Sequence, residues 1–353
     1  MAKTRVLVVD DSAVVRKILT DAFAGEPDME VVGHAADPYV ARDLIARSHP
    51  DVMTLDLEMP RMDGLTFLAK VMEHHPVPTI IVSSLTQRGS QASVEALQLG
   101  AIDVFAKPGG PHSVGELAER IKARIRAMRS GPPVRLERRA AAVPHTTGAG
   151  RSQSLTSARG LIAIGASTGG TQAIEYILTR LPADVPPIVI TQHMPAGFTR
   201  AFAERLDSVC AMKVAEATNG MMLQRGTALI APGGHHMVVD RRGLELSVRL
   251  REGPPVHHQR PAVDVMFASV ARLRALPIVG VLLTGMGADG ADGMVALRQA
   301  GAETLAEAEE SCVVFGMPRE AIARGGASSV VSLLQMPTSI ADAMERLNRA
   351  KVA

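Results

Sequence analysis

A serine stands on the glycine-flanked turn Gly165-Ala166-Ser167-Thr168-Gly169-Gly170, directly after the apolar run Leu161-Ile162-Ala163-Ile164. Glycines there permit a sharp backbone turn, lift a hydroxyl clear of its neighbours and leave amide N–H groups to face a substrate oxygen, as a nucleophile requires. The same pattern also fits a phosphate cradle at a helix start, or close strand–helix packing alone. A nucleophilic serine needs a base and an acid that orients the base. His193 follows the apolar run Ile188-Val189-Ile190-Thr191-Gln192, and Asp289 lies on the glycine-rich loop that follows Val281-Leu282-Leu283-Thr284. The phosphate reading lacks a lysine after its glycines and an evident ribose-binding acid about twenty residues on. Hydrolysis is favoured because it alone uses all three sites. A non-catalytic nucleotide- or protein-binding domain is the alternative.

A second set of reactive residues lies nearer the N-terminus. Asp10 and Asp11 follow Arg5–Val9, Asp56 follows Val52–Leu55, Ser83 follows Thr79–Val82, and Lys107 follows Asp103–Phe105. Three carboxylates gathered at one edge repel each other unless a divalent cation is present, and oxygen ligands suit magnesium. Asp56 is then poised to accept a phosphoryl group, with Lys107 neutralising its oxygens and Ser83 hydrogen-bonding the product. Taken singly, each aspartate also fits a helix cap or turn, as Asp11-Ser12 does at the first helix.

Both sets need strands whose carboxyl ends converge. The five N-terminal runs, with Met29–Gly33 as the second, alternate with helix-length amphipathic segments and predict a doubly wound parallel sheet, whose ligand site lies beyond the strand ends. Leu161–Ile164, Ile188–Thr191, Ala228–Ala231 and Ile278–Thr284 predict a second α/β sheet, and Met237–Asp240 with Leu244–Leu250 an antiparallel hairpin across Arg241-Arg242-Gly243. Between the two domains, a stretch rich in Pro, Gly, Ser, Thr, Ala and Arg loses apolar periodicity and reads as a flexible linker.

The 353 residues suffice for two packed domains. A net charge of +2 and 3% aromatic residues argue against nucleic acid and anionic membrane as partners. No run approaches bilayer length, and the start is too soon acidic for a signal peptide, so a soluble cytoplasmic protein is expected. Cys210 and Cys312, far apart, suggest no disulfide framework. His235-His236 and His257-His258 lack the spacing of a zinc site and read as loop histidines.

Residues 1–125 resemble a response-regulator receiver domain of flavodoxin-like fold, through Val8-Val9-Asp10-Asp11-Ser12, Leu55-Asp56-Leu57-Glu58-Met59-Pro60-Arg61-Met62-Asp63-Gly64 and Lys107-Pro108. The resemblance implies phosphorylation of Asp56 by a histidine kinase, Mg2+ at Asp10, Asp11, Asp56 and the Glu58 carbonyl, and Ser83 with Lys107 as the switch pair. Many receivers carry a switch aromatic where this chain has Val104, with Phe105 beside it. Residues 158–350 resemble the chemotaxis protein-glutamate methylesterases, of Rossmann-like α/β fold, through the serine turn, Gln192-His193-Met194-Pro195, Ala231-Pro232-Gly233-Gly234, Arg260-Pro261-Ala262-Val263-Asp264, Leu283–Gly290 and Val313-Val314-Phe315-Gly316-Met317-Pro318. That resemblance implies demethylation of glutamate γ-methyl esters, and deamidation of glutamines, on the cytoplasmic domains of chemoreceptors. It implies a Ser167–His193–Asp289 triad without a cofactor, for which the Thr168 and Met286 amides are candidate oxyanion donors. Glu307-Ala308 departs from the Gln-Asp common in relatives. The expected linker is 126–157.

Overall fold

The computed structural model describes residues 2–84, 86–107, 111–129, 155, 158–243 and 245–350. Two compact units, Met1–Ala141 and Ala142–Ala353, are separately built. Residues 130–154, 156 and 157 of the expected linker lie outside the described residues. At its edges, the helix Pro111–Arg129 continues past residue 125, and Leu155 is buried, its carbonyl accepting from Arg225 at 2.9 Å.

In the first unit β1 (Thr4–Val9), β2 (Met29–Ala35), β3 (Val52–Leu55), β4 (Thr79–Ser83) and β5 (Asp103–Ala106) form a parallel sheet in the order β2-β1-β3-β4-β5. Strands covered on both faces read as continuous apolar runs, and Val6, Leu7 and Val8 are fully buried. Each connecting helix starts on its own cap: Ser12 accepts from the Val15 amide, Asp37 from Tyr39 and Val40, Asp63 from Thr66, and Thr86 from Gly89. The winding reverses between β1 and β3, so their carboxyl ends open a crevice. The Asp56 amide donates to Val9 O at 2.9 Å, which carries the sheet register up to the acidic residues.

The second unit is a seven-stranded parallel sheet in the order β14-β13-β12-β6-β7-β9-β8. Its strands are β6 (Leu161–Ala166), β7 (Ile188–Gln192), β8 (Lys213–Glu216), β9 (Thr227–Ile230), β12 (Ile278–Leu282), β13 (Glu303–Glu307) and β14 (Ser329–Val331). The expected hairpin forms from β10 (His236–Arg242) and β11 (Glu245–Arg251), with Gly243 at φ +61 in its turn. Met237, Val239 and Val248 of the hairpin pack with Met266, Phe267 and Val270 of the helix Val263–Ala271. Emptying that layer by Phe267→Ala costs about 3–5 kcal/mol.

Three strands go beyond the sequence expectation. β8 and β14 are short edges, and four of the five residues of β13 are Glu, Leu or Ala, types that favour helices, yet Thr304 to Glu307 are all buried. His236 corrects the loop assignment of its pair. It is a buried strand residue whose Nδ1 accepts from the Ala262 amide at 3.2 Å and whose Nε2 donates to Pro254 O at 3.0 Å. No helix among the described residues is long and apolar enough to cross a membrane.

Candidate functional site

The first unit brings its acidic residues together. Asp10, Asp11 and Asp56 each offer a carboxylate oxygen within 4.8 Å of the other two. Lys107 Nζ stands 2.9 Å from Asp10 Oδ2 and 2.8 Å from Asp56 Oδ2. One cation does not balance the cluster: burial pushes the Asp56 carboxyl up to about 6 despite Lys107, and raises Asp10 as well. Burial alone would depress the Lys107 ammonium, but the two aspartates raise it overall. Gly64 lets the loop after β3 return, since a Cβ there would lie 2.4 Å from Asp56 O.

Ser83 ends β4, its hydroxyl buried and without a hydrogen bond, while its carbonyl accepts from the Lys107 amide at 2.7 Å. The Glu58 amide donates to Asp56 Oδ1 at 3.1 Å, and the Glu58 carboxylate accepts from the Ser84 hydroxyl at 2.8 Å. Val104 and Phe105 are both buried, and the Arg120 guanidinium lies 5.1 Å from the Phe105 ring centre.

In the second unit the parallel register pairs Ala166 with Gln192 and Gly165 with Leu282. Ser167 and His193 are thus the next residues on neighbouring strands, and Thr284 lies two residues past the third. The Ser167 amide donates to Thr284 O at 3.0 Å, and the His193 amide donates to Ala166 O at 3.1 Å. Gly169, at φ +75, and Gly170 admit no side chain: a Cβ would lie 2.4 Å from Val313 or 2.2 Å from Gln192 Oε1.

His193 Nε2 and Asp289 Oδ2 are 2.7 Å apart, both side chains buried. A carboxylate accepts, so in the neutral imidazole Nε2 carries the proton and the lone pair falls on Nδ1, which is buried and has no hydrogen-bond partner. No hydrogen bond joins the Ser167 hydroxyl to His193. Asp289 also accepts from the Val263 amide at 2.7 Å and the Asp264 amide at 2.9 Å. It thereby caps a helix whose own N-cap, Ala262, has no side-chain bond to offer. Burial pushes the Asp289 carboxyl up, but His193 and the two amides outweigh it and hold the group below its usual range.

Several supporting residues were missed by the sequence reading. Asp264 accepts from the Gly293 amide at 2.6 Å and pairs with His257 Nε2 at 3.0 Å. His257, Asp264 and Asp289 lie close enough to suggest a cation site, yet amide donors already face both carboxylates, which opposes a positive ion. Thr284, through its carbonyl and hydroxyl, and Glu307, through its carboxylate, join the serine turn to its neighbours by bonds to backbone groups, for which sequence gives no signal. Among the described residues the Met286 amide makes no hydrogen bond, and the residue is exposed.

A family model described as CheB methylesterase matches residues 162–340, and one described as response regulator receiver domain matches 6–122. The chain is 51% identical over 347 residues to protein-glutamate methylesterase/protein-glutamine glutaminase 2 of Syntrophus aciditrophicus, covering 98% of this chain and 100% of that relative. It is 53% identical over 338 residues to the protein-glutamate methylesterase/protein-glutamine glutaminase of Pectobacterium atrosepticum, covering 95% of each. The crystal structure of the Thermotoga maritima CheB methylesterase catalytic domain matches with a TM-score of 0.51 at 36% identity, covering 52% of this chain and 98% of that one.

Proposed function

The chain belongs to the CheB methylesterase family and carries a response-regulator receiver domain ahead of its esterase domain; on that premise we propose that it demethylates glutamate γ-methyl esters, and deamidates glutamines, on the cytoplasmic domains of chemoreceptors. The observation that carries the chemistry is the buried His193 Nε2–Asp289 Oδ2 bond of 2.7 Å, with a partnerless Nδ1 on the strand end beside Ser167.

Ser167 Oγ attacks the ester carbonyl as its proton passes to His193 Nδ1, and Asp289 steadies the imidazolium so formed. Collapse of the tetrahedral intermediate expels methoxide, which leaves as methanol with the proton from His193. Water then attacks the acyl-enzyme, with Nδ1 again the base, and a glutamate side chain and free Ser167 result. A glutamine follows the same route and releases ammonia. The unengaged Met286 amide and the Thr168 amide are the proposed donors to the oxyanion. For the proton to pass, the Ser167 hydroxyl must come within hydrogen-bond reach of Nδ1, a contact that apo sites often hold open.

Control belongs to the receiver. Asp56 is the proposed phosphoacceptor from a histidine kinase, with Ser83 and Lys107 reading the phosphoryl group. Asp10, Asp11 and Asp56 fit Mg2+, because a cation would offset the desolvation and the Asp10 repulsion that raise Asp56 to about 6. With the Glu58 carbonyl as a further ligand, the ion would supply neutralisation of the phosphoryl oxygens. The proposed division is a receiver at 1–125, a connection at 126–157 and an esterase at 158–350, working in the cytoplasm where its substrate helices lie. Methanol release from methylated receptor tests the proposal: wild type releases it and a folded Ser167→Ala does not, whereas release by that variant overturns the assignment.

A further inference from the structure

Glu307 is a fully buried carboxylate that the proposed mechanism leaves unused. It ends β13. Its Oε2 accepts from the Thr284 amide at 2.8 Å and its Oε1 from the Ser311 hydroxyl at 3.0 Å.

Thr284 is a junction of three loops. Its carbonyl accepts from the Ser167 amide at 3.0 Å, and its hydroxyl donates to Thr168 O at 2.9 Å. The same hydroxyl accepts from the Val313 and Val314 amides at 3.0 and 2.9 Å. The next residue, Gly285, donates to Val314 O and accepts from the Gly316 and Met317 amides. The junction has no slack. A Cβ on Gly285 would lie 2.7 Å from Ser167 Cβ, and one on Gly316 would lie 2.7 Å from Gly285 O. In such close packing a shift at Thr284 is passed on to the serine turn rather than absorbed.

We infer that Glu307 is a positioning residue for the esterase: its acceptor oxygen fixes the Thr284 amide, and Thr284 in turn fixes the Ser167 turn and the loop that bears the Met286 amide. The inference rests on the proposed role of Ser167. What the site requires is an oxygen facing Thr284, which a glutamine also supplies, since the Ser311 hydroxyl can exchange donor for acceptor. A leucine of similar size supplies none and leaves the Thr284 amide buried and unpaired.

The test compares Glu307→Leu and Glu307→Gln in the full chain, reading kcat and KM for methanol release, labelling by a serine-directed phosphonate, and Tm. Glu307→Leu is expected to lose about tenfold or more in kcat and in labelling rate at temperatures well below its Tm, with KM within about twofold, because misplacing reacting groups by fractions of an ångström costs rate more than binding. Glu307→Gln restores most of both. A folded Glu307→Leu with wild-type kcat, or a Glu307→Gln as slow as Glu307→Leu, overturns the inference. If Glu307→Leu fails to fold, Glu307→Asp reads the same junction by drawing the carboxylate back from the Thr284 amide: loss of kcat and labelling with KM held supports the inference, and wild-type kcat refutes it. Methanol release by Ser167→Ala would instead remove the reading of Ser167 itself, so the two failures are distinct.

Discussion

The two units solve the same architectural problem in opposite electrostatic ways. Both gather reactive side chains beyond the carboxyl ends of parallel strands. In the receiver, two of the three clustered carboxylates, Asp10 and Asp56, share one lysine, and burial still pushes Asp56 up to about 6. In the esterase, Asp289 is surrounded by donors, two amides and an imidazole, and titrates below its usual range. An under-compensated pocket responds to whatever charge arrives, a cation or a phosphoryl group. A saturated one holds geometry. The contrast matches the proposed division between a receiver pocket that senses charge and an esterase site that holds geometry.

The largest effects are expected where geometry cannot be replaced. Ser167→Ala should lower methanol release by about 10⁴-fold or more, with Asn at position 289 costing about 10²–10⁴-fold, by analogy with triads in general. Acetyl-phosphate labelling of Asp56 in either variant should stay at the wild-type level, because the acidic pocket is built from a separate unit. Loss of labelling in Ser167→Ala would break the division of labour. The converse variant, Asp56→Asn, should retain basal methanol release and lose all stimulation by a phosphodonor. Equal stimulation of variant and wild type would mean that control does not run through this carboxylate.

Acid should act on the two units in opposite directions. Asp56 has a folded value near 6, above its ordinary 3.8, so its contribution to stability is present below about pH 4 and is lost as pH rises through 6. At pH 7 without Mg2+ this amounts to at most about 3 kcal/mol against the fold. Asp289 is depressed, so its contribution is present above 3.8 and is lost as pH falls through its lower folded value. Calorimetry without Mg2+ should therefore show the receiver transition rising in Tm between pH 7 and pH 5 while Asp289 leaves the esterase transition unaffected in that range. Asp56→Asn should raise the receiver transition at pH 7 and change it little at pH 4. A pH-independent difference between Asp56→Asn and wild type would show that burial does not strain Asp56.

The strand ends were legible because β-branched runs stop at chemically reactive residues: Val9 before Asp10, Leu55 before Asp56, Gln192 before His193. Strands β8, β13 and β14 were not, since edge position and helix-favouring composition hide them until the neighbouring strand is in place. The site followed the same rule. The proposed Ser167, His193 and Asp289 stand out by type and placement, whereas Thr284 acts through its backbone and hydroxyl and Glu307 through its carboxylate, buried in a strand that the sequence disguises. His236 looks like a loop residue in the sequence for a similar reason, because only the fold brings the Ala262 amide and the Pro254 carbonyl to its two nitrogens.

The smallest effect is expected at the outer edge of the esterase network, where the contrast between saturated and responsive sites fades. His257 pairs with Asp264 at 3.0 Å, but its side chain is 38% exposed and its backbone sits at φ +50, a conformation that asparagine tolerates better than most residues. A half-exposed pair contributes roughly 0–1 kcal/mol and is screened by salt. Replacing His257 with Asn removes the pair but eases the backbone, so stability should change by no more than about 0.5 kcal/mol. Methanol release should stay within about twofold of wild type, because Asp289 keeps both amides and His193 regardless. A loss of about tenfold or more in His257→Asn would extend the saturated site outward to the surface and make its imidazole part of the machinery that holds Asp289.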